Sequence, residues 1–217
     1  PDYTFEILFV NDGSKDNTWK IIQKLTETNE IFVGINLARN RGHQNALLAG
    51  LMTAKTYADC VISLDADLQD DVGVIEKFVD AYVAGNDVVY GVRSARETDT
   101  FFKRFTAESF YKIMHFLGVD IVYNHADYRL MSKRALEGLA EFDEVNLFLR
   151  GIVPQIGYPS TTVEYERHER LAGKSKYPLK KMLAFAFEGI TSFTIAPIRI
   201  ATILGGLAFM ISMIMLL

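Results

Sequence analysis

Apolar residues fall into two alternating rhythms over the first ninety positions. Short runs of strand length, Phe5–Val10, Ile31–Leu37, Val61–Leu64 and Asp87–Gly91, each break off at polar or charged residues. Between them lie stretches with apolar residues at helical spacing: Trp19 to about Thr28 (Ile21, Ile22, Leu25), about Ala46 to Tyr57, and about Val72 to Ala84 (Ile75, Phe78, Val79, Tyr82). Strand, loop and helix repeated in this order predict a three-layer α/β sheet, whose ligands collect at the carboxyl ends of the strands. Val61–Leu64, a short and mainly apolar run, predicts a buried parallel strand.

Further along, Phe101–Leu117 predicts an aromatic-rich amphipathic helix, and residues 124–132 a loop feeding a short strand, with a helix from Lys133. Residues 144–151 predict a helix, residues 161–167 a strand, and Pro178–Ser192 an amphipathic helix with Lys180 and Lys181 near its start. Ile200 to Leu217 carries no charge and predicts the beginning of a membrane-spanning helix that continues past Leu217; a buried core helix is the alternative. Basic residues just ahead of such a span place the soluble part in the cytoplasm, at the inner (plasma) membrane.

Composition narrows this picture. A length of 217 residues suits one domain with a real core, here residues 1–177, then a juxtamembrane helix over 178–196 and the membrane segment 197–217. The net charge of -4 argues against a nucleic-acid binder, which needs a basic face. The single cysteine, Cys60, excludes an intrachain disulfide, fits a reducing compartment, and reads as core rather than nucleophile. No signal peptide opens the sequence at Pro1.

The candidate chemistry sits where the apolar runs end. Asp65 and Asp67, one residue apart after Val61–Leu64, can share a hard divalent cation with substrate phosphate oxygens. Alternatively they belong to a solvated acidic turn, with Asp70 or Asp71 capping the next helix. Asp12, in the turn after the first strand, can accept hydrogen bonds from a ribose or base, or merely form the turn with Ser14. Arg39 and Arg41 ahead of a helix start suit an anion, and Gly42 among them allows close backbone approach; a solvated basic loop competes. His43 reads as a helix-start hydrogen bonder, because no second His or Cys stands at ligand spacing. Asp127 and Arg129 alternate along a strand, so they either pair with each other or face a site. Gly173-Lys174-Ser175 is not a phosphate loop, since His168 stands where that motif needs glycine.

Four segments together, Val10–Thr18, Asp65–Asp70, Ala126–Ser132 and Arg170–Tyr177, resemble family 2 glycosyltransferases, in particular the branch that loads sugars onto polyprenyl phosphate. That branch holds the bactoprenol glucosyltransferases and dolichol-phosphate mannose synthases. The resemblance implies a GT-A fold, a Rossmann-like, mostly parallel sheet with flanking helices, and a Mg²⁺ or Mn²⁺ cofactor. It places Asp12, Gly13, Arg39, Gly42, Asp65 and Gln69 around the nucleotide sugar, Asp67 on the metal and Asp127 near the reacting sugar. Arg93, Arg104 and Arg129 would meet the acceptor phosphate, and Arg170, Lys174 and Ser175 would close a loop over the phosphates. The implied reaction is inverting transfer of a hexose, glucose from UDP-glucose, to undecaprenyl phosphate for cell-envelope glycan modification. Other donors such as GDP-mannose or UDP-N-acetylglucosamine, and a non-catalytic membrane-tethered nucleotide-sugar binder, are the alternatives; self-association is a further expectation. The chain lacks the family's opening strand with Pro-x-Tyr-Asn-Glu, so a segment that completes mid-sheet and nucleotide site is expected ahead of Pro1. Tyr128 stands where the bacterial branch has Phe, a departure expected to be mild. The processive polysaccharide synthases carry Gln-x-x-Arg-Trp, which the single tryptophan, Trp19, does not match.

Overall fold

The computed structural model describes residues 3–94, 125–142, 149–166 and 196–216. Six strands and six α-helices are described: β1 (Ile7–Asn11), α1 (Thr18–Thr28), β2 (Phe32–Asn36), α2 (His43–Ala54), β3 (Cys60–Ser63), α3 (Ile75–Val83), β4 (Val88–Arg93), β5 (His125–Ser132), α4 (Lys133–Ala140), α5 (Leu149–Gln155), β6 (Ser160–Tyr165) and α6 (Ala196–Leu216). The chain divides into two compact units; one holds every described strand with α1–α5, and α6 belongs to the other.

The order of β1, α1, β2, α2, β3 and α3 follows the apolar rhythm, and β1 pairs with β2 in parallel. Trp19 and Ile22 of α1 close over Gly34 of β2, where any side chain would collide with Ile22. Helix α2 packs on both β1 and β3, with Gly50 against Val10. The second sheet runs in the order β3-β5-β4-β6. Here the expectation of a parallel neighbour for Val61–Leu64 is corrected: β3 pairs antiparallel with β5, as does β4, and only β4 and β6 are parallel. Among the described residues the sheet is therefore mixed. A short, mainly apolar run points to a strand but is silent on chain direction.

Strand β5 is also longer than the loop and short strand expected there. It spans eight residues in mid-sheet, and Tyr128, Leu130 and Met131 are fully buried. Phe78 of α3, Val89, Tyr128, Leu130 and Tyr165 form the core beneath it. Ser132 ends the strand and caps α4 by accepting from the Ala135 N–H (3.0 Å), which sets the helix start at Lys133.

Helix α6 is unbroken over 21 residues, and Ile203, Leu207, Phe209 and Ile214 are exposed on it. Its uncharged described part, residues 200–216, reaches about 25 Å at 1.5 Å per residue, short of the ~30 Å hydrocarbon layer. Among the described residues no helix is long and apolar enough to cross a membrane, so the expected transmembrane helix is not supported by them. The helices expected at Phe101–Leu117 and Pro178–Ser192, residues 143–148, and Arg104, Arg170, Lys174 and Ser175 lie outside the described residues.

Candidate active site

The register that pairs Ser63 with Arg129 runs on past the end of β3 and brings Asp65 towards Asp127. Neighbouring carboxylates repel each other unless a hydrogen-bonding or cationic group stands between them. His43, the first residue of α2, does so: its Nε2 lies 3.0 Å from Asp127 Oδ2 and 3.9 Å from Asp65 Oδ1. The hydrogen bond to Asp127 raises the His43 pKa against the opposing effect of burial. Asp65 moves up as well, chiefly through burial, with the neighbouring acids adding to it and His43 pulling it back.

Asp127 is 5 % exposed and heavily compensated. Its Oδ1 accepts from Arg129 Nη2 at 2.5 Å, and Arg150 of α5 reaches the same carboxylate at 3.3 Å. Burial works against its charge, yet the His43 hydrogen bond and the two guanidiniums prevail, holding the carboxyl far below the usual range. Such a group is a permanent anion near neutrality and a poor general base. Ser63 Oγ fixes the backbone there by donating to the Asp127 carbonyl (2.6 Å). Gln44, next to His43, accepts from the Leu149 N–H (3.0 Å), so the first turn of α2 ties β5 to the start of α5.

Arg129, expected at the acceptor phosphate, is buried beside Asp127. At 1 % exposure it donates to Asp127 and, at 3.4 Å, to the Leu149 carbonyl. The pairing of Asp127 with Arg129 is thus the arrangement found, and Arg129 Nε has no partner among the described residues. Neither His43 as a bridge nor Arg150 was legible beforehand. Both depend on which strand lies beside β3, and no spacing in the sequence encodes that.

Asp12 has a structural task within the site. Its carboxylate accepts from the backbone N–H groups of Arg41 (2.6 Å) and Gly42 (3.0 Å), and its carbonyl accepts from Asn40. Asp12 thus clamps the β2–α2 loop. Gly13 is needed for that clamp, since at φ +65° a Cβ would stand 2.5 Å from the Asn40 nitrogen. Gly42 takes φ +85° at the head of α2. Arg39 and Arg41 are exposed on the same loop. Buried Asn11, at the end of β1, donates to Asn36 (2.7 Å) and accepts from the Ser14 N–H (3.2 Å).

The acidic loop leaves β3 through Asp65 and bends at Leu68, whose φ of +58° is the one left-handed non-glycine conformation among the described residues. Asp67 accepts from the Gln69 N–H (3.2 Å), and Gln69 and Asp70 are buried. Asp71, rather than Asp70, caps the following turn by accepting from Gly73 (2.8 Å). Arg93, at the end of β4, directs its Nε at the Tyr165 hydroxyl (3.3 Å) and lies 3.9 Å from Asp70. Among the described residues no three His, Cys, Asp or Glu converge as a ready-made metal cage. The hard oxygens of Asp65 and Asp67 still suit Mg²⁺ or Mn²⁺, because Mg²⁺ characteristically takes one or two carboxylates and completes its shell with water and phosphate oxygens.

With this geometry in hand, comparison with known proteins assigns the family. The profile of glycosyl transferase family 2 matches residues 1–139. The chain belongs to glycosyl transferase family 2. It is 60% identical over 207 residues to the uncharacterized glycosyltransferase YkoT of Bacillus subtilis strain 168, covering 95% of this chain and 61% of that protein. It is 43% identical over 204 residues to the bactoprenol glucosyl transferase of Shigella phage SfX, covering 94% of this chain and 66% of the relative. The same figures hold for the prophage bactoprenol glucosyl transferase homolog of Escherichia coli K12. The chain thus spans roughly three-fifths to two-thirds of the length of these relatives. A GT-A-like α/β arrangement, with the acidic loop at a strand end, is what family membership predicts and what β1–β6 present.

Proposed function

We propose that this protein transfers a hexose, glucose from UDP-glucose, onto a polyprenyl phosphate with inversion at the anomeric carbon. The observation that carries the reading is the junction of Asp65, His43 and Asp127, where the acidic loop meets an anion the fold itself neutralises. Two relatives named bactoprenol glucosyl transferase support the choice of sugar and acceptor class.

Asp67, with Asp65 beside it, holds the divalent cation. When bound, Mg²⁺ or Mn²⁺ supplies charge neutralisation for the departing diphosphate. Asp12 and Gly13 keep the β2–α2 loop folded so that Arg39 and Gly42 border the donor. A polyprenyl phosphate has a second pKa of about 6 by analogy with phosphorylated side chains. It therefore arrives largely ionised and needs no strong base, which matches a carboxylate as weakly basic as Asp127. In this reading Asp127 orients the sugar as a fixed negative charge, Arg129 holds Asp127 in place, and Arg104, Arg170, Lys174 and Ser175 serve the acceptor phosphate or the closing loop. The rate comes from positioning and electrostatics. Because the acceptor is lipid-borne, the protein works at the inner-membrane surface with its site on the cytoplasmic side; the exposed apolar residues of α6 support that placement.

The test is transfer by the full-length protein from radiolabelled UDP-glucose to undecaprenyl phosphate with Mg²⁺ or Mn²⁺, beside GDP-mannose and UDP-N-acetylglucosamine. Glucosyl lipid formed only with metal supports the reading. Product from another donor replaces the sugar, and tight UDP-glucose binding with no product from any donor replaces the enzyme with a binder.

A further inference from the structure

The acidic loop is pinned from beneath by two phenols that the family reading gives no role. Tyr165, the last residue of β6, donates from its hydroxyl to Asp70 Oδ1 at 2.6 Å, and Tyr128, in mid-β5, donates to the Asp71 carbonyl at 3.0 Å. The two rings pack edge to face with centroids 5.2 Å apart, and Phe78 closes on Tyr128 at 4.7 Å. Both side chains sit in the core cluster, so their hydroxyls are held by packing as well as by hydrogen bonds. Asp70 is 6 % exposed and Tyr165 3 %, so this hydrogen bond is shielded from water. Arg93 Nε, 3.3 Å from the Tyr165 oxygen, completes a triad across the ends of β4, β6 and the loop.

Asp70 lies three residues after Asp67, and the stretch between them holds the strained Leu68. A loop with a left-handed leucine keeps that shape only if its ends are over-determined. We infer that Tyr165, acting through Asp70 and seconded by Tyr128, is a positioning residue that holds Asp67 in the geometry a divalent cation requires. This rests on the reading of Asp67 as the metal-side acid. The two phenols are not equal partners. Tyr165 bonds a buried carboxylate, which loses a charge-assisted contact if the hydroxyl goes. Tyr128 bonds a backbone carbonyl, which retains a second lone pair for water or another donor. Tyr128 accordingly tolerates Phe better than Tyr165 does, although its hydroxyl has a specific partner here.

The experiment is calorimetric titration of Mn²⁺ with UDP into the full-length protein and three variants, with melting temperatures recorded alongside. Tyr165→Phe keeps the ring and removes the hydroxyl; it should weaken Mn²⁺ binding by about tenfold, the range for residues that orient metal ligands. Tyr128→Phe should weaken it by about threefold or less, since the carbonyl it serves is the more easily satisfied. Ser132→Ala removes a buried hydroxyl of similar standing, bonded to Asp87 at the opposite end of β5. It should lower the melting temperature by about 2–4 °C and leave Mn²⁺ affinity unchanged. Tyr165→Phe within twofold of the wild type overturns the inference, as does equal weakening in Ser132→Ala. Wild-type protein that binds no Mn²⁺ with UDP overturns the metal reading itself, a result distinguishable from either.

Discussion

Asp127 and Asp67 share one site and are built in opposite ways. Asp127 is buried, and the protein surrounds it with Arg129, Arg150 and His43 from three separate elements. Asp67 is half-buried on a loop bent through Leu68, accepts from a backbone N–H two residues on, and is steadied indirectly through Asp70 and Asp71. A buried charge must be compensated within the fold, because removing it from water costs several kcal/mol. Asp127 is therefore bound up with folding, and Asp67, in the proposed function, with the metal, so substitutions should separate the two.

The largest effect is expected from Asp127→Asn. It strands the buried Arg129 guanidinium and should cost about 3–5 kcal/mol of stability, read from the urea midpoint, together with nearly all transfer activity. Asp127→Asn with full turnover would remove Asp127 from the reaction. Asp67→Ala should weigh the other way: a smaller loss of stability than Asp127→Asn, but transfer lower by about 10²–10³-fold and Mn²⁺ binding lost. If both variants unfold alike, the contrast between the two acids fails.

Gly13→Ala comes next. The new Cβ would meet the Asn40 nitrogen at 2.5 Å in a left-handed backbone, so a loss of about 2–3 kcal/mol is expected, with donor KM raised because the β2–α2 loop shifts. The smallest effect belongs to His43→Gln and is read in its pH dependence. The His43 pKa is raised in the folded chain, so its contribution is complete below the unfolded value of about 6.5 and disappears as pH rises through the folded value. Asp127, depressed, contributes above the ordinary carboxylate range and loses that contribution only as pH falls through its low folded value. The cluster is thus tightest between about pH 4 and 6.5. His43→Gln should flatten the alkaline side by about 0.5 kcal/mol, the imidazole being half exposed. A wild-type stability that is level from pH 6 to 9 would show that the imidazole carries no such linkage.

Residue order alone determined the strand–helix alternation, the acids at the end of Val61–Leu64, the helix start at Lys133 and the family likeness. Each is written in local period, capping chemistry or a short motif, and local interactions enforce these wherever the chain lies. Chain direction within the sheet was not local. Only the insertion of β5 antiparallel between β3 and β4 sets Asp127 near Asp65, buries Arg129 against Asp127, and turns His43 from a helix-start residue into the bridge between two acids. The roles of Arg150, Tyr128 and Tyr165 arise the same way, from contacts 23, 57 and 95 residues apart in sequence. Such pairings exist only once the core has chosen its strand order, because a hydrogen bond has no preference for sequence distance and the packing that brings its partners together does.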